Sequence, residues 1–312
     1  MRNLFIEALN NKDINMLRKI SKSDLHNHGV LGGNLNYINK KFGLKIEKPR
    51  SRFNTIEDMG KWIKENSLVD GIISFENNIE AALIQAKNDG VKVLEMSFDT
   101  RYRNYFEGKV ENLISVLDNL HKSFAPDVIF RPEISLNREI QINILEEQFE
   151  PYLDFEYFKS IDLCGNEYGQ SIKSFKNIYK KAKNKGLTLK AHVGEFGDAI
   201  SIIEAIEELE LNQIQHGISA INSKEVMRYL RNNKIPLNIC PTSNVMLNRV
   251  SSLANHPIRE FYDYGIKVTI NTDDVLVFNQ GVSEEFLSLF NESLFTADEL
   301  NKIRETGLEN SN

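Results

Sequence analysis

The chain has 312 residues, of which 41% are apolar and 26% charged, and carries a formal net charge of −6. This is the composition of a soluble globular protein, long enough for one large domain or two ordinary ones. The negative balance argues against broad capture of a nucleic acid polymer, although a local basic pocket for a small anion is compatible with it.

Residues 1–20 place apolar side chains at helical spacing among acids and asparagines, which predicts a helical segment rather than a signal peptide. Cys164 and Cys240 stand far apart with no CxxC pairing, so a reduced, cytoplasmic setting is expected. No apolar run approaches the roughly 20 residues of a membrane span.

Eight short runs rich in Val, Ile, Leu and Phe follow in order: "SDLHNHG", "VKVLEMSFDT", "DVIFRPEISL", "FKSIDLCGNE", "LTLKAHVGE", "NQIQHGIS", "IPLNICPTSN" and "KVTINTDD". Such runs read as strands buried on both faces. Most intervening segments, such as "GDAISIIEAIEELEL", have the period of amphipathic helices. The pattern predicts a single α/β domain, a (β/α)8 barrel of the TIM type. An open doubly wound sheet is the alternative, but no GxGxxG turn supports dinucleotide binding. Residues 34–90 form an insertion after the first strand, expected to be a helical lid over the mouth. Residues 307–312 are expected to be a frayed tail.

Ionisable residues gather at the C-terminal ends of these runs: His26 and His28, Asp99, Glu133, Glu167, His192 with Glu195, His216, and Asp273 with Asp274. Four of the six histidines lie there. Barrel enzymes carry their chemistry at that end. His26 and His28, two apart on a strand, face the same way. Two inward imidazoles would repel if charged and leave nitrogens unpaired if neutral, whereas a divalent cation resolves both problems. Adjacent Asp273 and Asp274 cannot both face inward while the pleat persists; at a strand terminus one could meet a metal and the other a ligand, or the pair could be a helix cap and a solvated acid. Three imidazoles and a carboxylate suit Zn²⁺ first, with Mn²⁺, Fe²⁺ or Co²⁺ after it.

Taken together, "SKSDLHNH", "DLCGNE", "AHVGE", "QHG", "CPTSN" and "NTDD" resemble, in this order, the motifs of the adenosine deaminase family of metal-dependent amidohydrolases. The resemblance spans about residues 21–278 and implies the same barrel fold. It implies zinc ligation by His26, His28, His192 and Asp273, with one ion per chain. Catalytic roles fall to Glu195 (proton delivery to the purine ring), His216 (positioning the attacking hydroxide) and Asp274 (bonding the imidazole side of the purine). Gly165 would offer a backbone contact to the base. The implied reaction turns adenine into hypoxanthine with loss of ammonia.

One departure bears on the substrate. Where the family keeps an acid that contacts ribose, two residues past the second histidine, this chain has Val30. Gly29, Gly32 and Gly33 surround it and could either let backbone N–H groups approach a phosphate or simply form a tight turn. Arg101 and Arg103, just past the second strand, are candidate cations for that phosphate. These residues predict an adenine nucleoside 5′-monophosphate (AMP or dAMP) as substrate, with adenosine or 2′-deoxyadenosine as the alternative. A non-catalytic nucleotide-binding barrel is disfavoured, because every catalytic position holds a competent residue. Met59, Trp62 and Ile63 are lid residues that could cover the base, although helix packing also explains them. Asp24 is a candidate to orient an imidazole. His121, His256 and Cys240 are left outside the site.

Overall fold

The computed structural model describes residues 1–66, 68–69, 71 and 73–309. The eight runs form eight strands: β1 (Lys22–His28), β2 (Val91–Asp99), β3 (Ile129–Asn137), β4 (Ser160–Cys164), β5 (Thr188–Val193), β6 (Gln213–His216), β7 (Leu237–Ile239) and β8 (Val268–Ile270). Neighbours in sequence pair in parallel, in the order β1 to β8. The ring draws shut just past β8. There Asp273 N–H donates to the His26 carbonyl at 3.0 Å, and His28 N–H donates to the Asp273 carbonyl at 3.2 Å. Helices alternate with the strands, giving a TIM-type barrel.

Side chains along each strand alternate between the helices outside and the barrel interior. The outward set is apolar. Leu94, Met96 and Phe98 on β2, Ile134 and Leu136 on β3, and Leu189, Ala191 and Val193 on β5 join one continuous core with the helices. The inward set is strongly polar and organised as two networks. In the first, fully buried Lys190 on β5 lies 2.8 Å from Glu133 Oε2 on β3 and also pairs with Glu95 on β2. Ser160 donates to Glu133 at 2.7 Å, and Arg131 stands 3.6 Å from Glu95. In the second, Asn238 donates to Gln213 and Gln215 at 2.9 Å each, and Thr269 donates to Asn238 at 2.8 Å. Partnering of this kind is what makes buried polar groups tolerable. Glu133 is therefore not a strand-end acid as its run suggests. β3 continues to Asn137, and Glu133 belongs to the ionic network inside the barrel.

Between β1 and β2 lie a turn, Gly29–Leu31, and helices Leu35–Phe42, Ile56–Glu65 and Phe75–Asn88. Thr55 Oγ1 accepts the Asp58 N–H at 3.1 Å and starts the second of these, with Glu57 and Asp58 favourably placed in its first turn. Its Met59, Trp62 and Ile63 pack with Phe53, Leu247, Val277, Phe278 and Phe196 above the ends of β5, β7 and β8. The third helix behaves differently from the expected insertion. Ile79, Ala82 and Leu83 bury into the main core, so Phe75–Asn88 belongs to the outer ring and the inserted part ends before it.

Helices Arg2–Asn10 and Ile14–Leu17 form the N-terminal segment, with Phe5 edge-on to Phe286 at 5.3 Å. The chain does not loosen at residue 307. Helix Ala297–Glu309 runs through it, and a Cβ on Gly307 would come within 2.3 Å of Ser23 Oγ. The rest of the expected tail, 310–312, lies outside the described residues. Among the described residues no helix is long and apolar enough to cross a membrane.

Candidate active site

β1 delivers His26 and His28 to the interior, and β5 and β6 bring His192 and His216 to meet them. Ring centroids are 5.0 Å apart for His26 and His28, 4.6 Å for His26 and His192, and 5.1 Å for His192 and His216. His216 and Asp273 both adopt left-handed backbone conformations, with φ of 62° and 65°. Non-glycine residues rarely do so, and the strain concentrates at functional sites. Here it answers the pleat problem. The twist at Asp273 breaks the alternation, so Asp273 and Asp274 both end buried at the mouth, each about 4% exposed.

Asp273 is the hub. Its Oδ1 lies 3.1 Å from His28 Nε2 and 3.5 Å from His26 Nε2. Its Oδ2 accepts from Ser243 Oγ at 2.6 Å and stands 3.9 Å from His216 Nε2. Donor atoms from His26, His192, His216 and Asp273 lie within 4.8 Å of one another, and so do those of His28, Asp273 and Asp274. Both ring nitrogens of His26 and Nε2 of His216 are buried without a hydrogen-bond partner. Leaving such atoms unpaired is costly unless a cation takes their lone pairs or a ligand meets them. The residues thus fit a metal ion. The tight cluster includes His216, whereas His28 attaches through Asp273. This differs by one residue from the ligand set implied by the motifs.

Asp162, on β4, was given no role from the sequence. Its Oδ2 lies 2.8 Å from His192 Nδ1, which leaves Nε2 of that ring to face the cluster. Burial raises the Asp162 pKa, but His192 outweighs it and holds the carboxyl down at about 2. Glu195 stands 3.7 Å from His216 Nδ1. Burial, then the charges of Asp273, Glu167 and Asp274, push its pKa well above the usual carboxylate range. Burial and Asp273 likewise raise Asp274, to about 7. The loop carrying Glu195 is clamped by Glu167, whose carboxylate accepts the N–H groups of Gly194, Glu195 and Phe196 at 2.7, 2.9 and 2.7 Å.

Further candidates stand on the turns after β4, β2 and β1. Gly165 follows β4 with φ of 91°, a conformation that favours glycine. Arg101 is committed to Asp99, donating from Nε and Nη2 at 2.8 and 2.7 Å. Arg103 lies on the same turn, Thr100–Phe106, just past β2. Gly32 N–H donates to the Gly29 carbonyl at 3.3 Å, and a Cβ on Gly32 would come within 2.3 Å of Asn27 Oδ1. The glycines are thus used in packing the turn against its neighbours. Asp24 orients no imidazole; it accepts from Thr272 Oγ1 at 2.6 Å and Asn27 Nδ2 at 3.3 Å, tying β1 to the end of β8. Cys240 is buried, and His121 Nε2 meets the Val128 carbonyl at 2.8 Å on the outer face.

Metal-dependent hydrolases that release an amine are the class this barrel and its mouth define. Residues 83–312 match the family described as adenosine deaminase. A putative adenosine/adenine deaminase of Treponema pallidum (strain Nichols) is 32% identical over 291 residues, covering 91% of this chain and 96% of that one. The structure of adenine deaminase from Arthrobacter aurescens shares the fold with a TM-score of 0.78 at 23% identity, over 94% of this chain and 93% of that chain. Arabidopsis ADAL, complexed with GMP, does so with a TM-score of 0.76 at 17% identity, over 94% and 92%. The chain belongs to the adenosine deaminase family.

Proposed function

We propose that the protein hydrolytically removes the 6-amino group from the adenine of a small nucleoside or nucleotide, with one zinc ion held by His26, His28, His192 and Asp273. The observation that carries this reading is the meeting, at one buried mouth, of unpaired imidazole nitrogens, Asp273 and a buried Glu195 beside His216. Zinc at such a site supplies the Lewis acidity that makes water nucleophilic at neutral pH.

The protein's own groups do the rest. Glu195 gives its proton to the purine ring nitrogen beside the reacting carbon, which raises that carbon's electrophilicity. Glu167 holds the loop that aims it. His216 orients the attacking oxygen, and Asp274, with its raised pKa, is suited to donate to the imidazole side of the base. Gly165 offers its backbone to the pyrimidine side. Helix Ile56–Glu65 acts as a lid whose apolar face excludes water.

At the sugar end, two readings have support. Commitment of Arg101 to Asp99 and of the Gly32 N–H to Gly29 favours an uncharged sugar, hence adenosine or 2′-deoxyadenosine. The absence of an acid at Val30, and the GMP bound by a relative of the same fold, favour the 5′-monophosphates AMP and dAMP. The nucleoside is the leading reading, because Arg101 and the Gly32 N–H are engaged within the protein. Ammonia release from zinc-loaded protein should be at least tenfold more efficient, as kcat/KM, for the nucleosides than for AMP and dAMP. The opposite order would restore the nucleotide. No release from any adenine compound would refute the deaminase.

A further inference from the structure

His216 sits in the cluster of potential ligand atoms, yet its surroundings differ from those of His192 in one decisive respect. A metal-binding imidazole donates its second N–H to an acceptor, which keeps the lone pair on the nitrogen facing the metal. His192 Nδ1 faces an atom that can only accept, Asp162 Oδ2 at 2.8 Å. His216 has the reverse. Its Nδ1 lies 3.1 Å from Asn244 Nδ2, an amide nitrogen that can only donate.

The orientation of that amide is itself fixed, one residue further out. The Ile258 backbone N–H donates to His256 Nδ1 at 3.1 Å, so this nitrogen must carry a lone pair. A neutral His256 then bears its proton on Nε2, which lies 3.2 Å from Asn244 Oδ1 and donates to it. With Oδ1 taken, Asn244 turns its NH₂ to His216. Burial, holding the His256 pKa down at about 3, agrees with a neutral ring. Each bond in the chain has only one direction, and a main-chain N–H that cannot reverse sets it. The last atom is His216 Nε2, buried, unpartnered and 3.9 Å from Asp273 Oδ2.

We propose that His256 and Asn244 are positioning residues that lock His216 in the Nε2–H tautomer, making it a hydrogen-bond donor to the attacking oxygen and excluding it from the metal's ligands. The direction of the chain comes from this protein's hydrogen bonds; the role of its last N–H rests on the deaminase reading above. His256, which the sequence left outside the site, thus acts on it through Asn244.

Long-range ¹H–¹⁵N correlation spectra of histidine-labelled protein test the tautomer without any substrate, His216 being assigned by the signal lost in His216→Gln. With and without zinc, His216 should show a protonated Nε2 and an unprotonated Nδ1. Asn244→Asp, nearly isosteric, replaces the donor with an acceptor and should move the proton to Nδ1. His256→Leu should leave His216 a mixture of tautomers, and His256→Gln, which can still donate to Asn244, should restore the single form. An unprotonated, zinc-bound Nε2 in the unaltered protein, or an unmoved proton in Asn244→Asp, overturns the proposal. Activity is a separate readout. If adenine compounds are turned over, Asn244→Asp should lower kcat by ~10²-fold with KM and zinc content little changed. If none is turned over, the deaminase reading fails and the spectra still decide the tautomer.

Discussion

Replacing Lys190 with methionine tests the ionic network beneath the metal site. The Lys190 ammonium is fully buried between Glu133, 2.8 Å away, and Glu95. Methionine fills nearly the same volume, so the change removes charge rather than packing. Two carboxylates then face each other with only Ser160 bonded to one and Arg131, at 3.6 Å, beside the other. Stripping one partner from a buried ion pair costs about 3–5 kcal/mol, which for a protein of this size is a fall in melting midpoint of roughly 10 °C. The cost has a pH signature. Burial already raises the Glu133 pKa, with Lys190 opposing that rise. Removing Lys190 raises it further. A carboxyl whose folded pKa exceeds its unfolded value contributes stability at low pH that is lost as pH climbs through the folded value. The variant should therefore be close to the unaltered protein near pH 5 and fall progressively behind it toward pH 8. Thermal melts followed by circular dichroism would measure this, and Lys190→Met/Glu133→Gln should recover part of the loss. A deficit that is the same at both pH values, or below about 1 kcal/mol at pH 8, would refute the reasoning.

Three further outcomes are expected. Asp162→Asn removes the carboxylate behind His192 and should weaken zinc affinity ~10–100-fold in chelator competition, with little change in the far-ultraviolet spectrum. Glu195→Gln should lower kcat by ~10²–10⁴-fold while zinc stoichiometry is kept, as read by ammonia release and metal analysis. Glu285 is fully buried, and burial, against a bond from Thr242, lifts its pKa to about 8. Its folded pKa being raised, the protein loses stability as pH rises toward and past 8; Glu285→Gln should abolish that loss, melting higher than the unaltered protein at pH 9 and near it at pH 5.

The sequence carried much of the site because its signals are local. Runs of apolar residues ending in histidines and acids announce strands whose C-terminal ends share one mouth, and there His26, His192, His216 and Asp273 gather, with His28 joined through Asp273. Asp162 was within reach of the same logic. It lies two residues before the end of β4, on the same face as Cys164, but a lone aspartate in an apolar run gives no hint of its partner. Glu167, Ser243 and Asn244 lie in the motifs too, though nothing nearby says what they bond.

What the sequence determined by itself was periodicity and chemistry: the barrel, the residue types at its mouth and the family those residues mark. What only the tertiary structure decided was which polar groups are already committed to one another. Arg101 looked available for a phosphate until Asp99 held it. Glu133 looked like a strand-end acid until Lys190, from a strand 57 positions later in the chain, was beneath it. His256 looked remote until Asn244 joined it to His216. The pleat repeats every two residues and can be read along the chain, but a hydrogen bond depends on distances of about 3 Å between strands far apart in sequence, and only the closed barrel sets those.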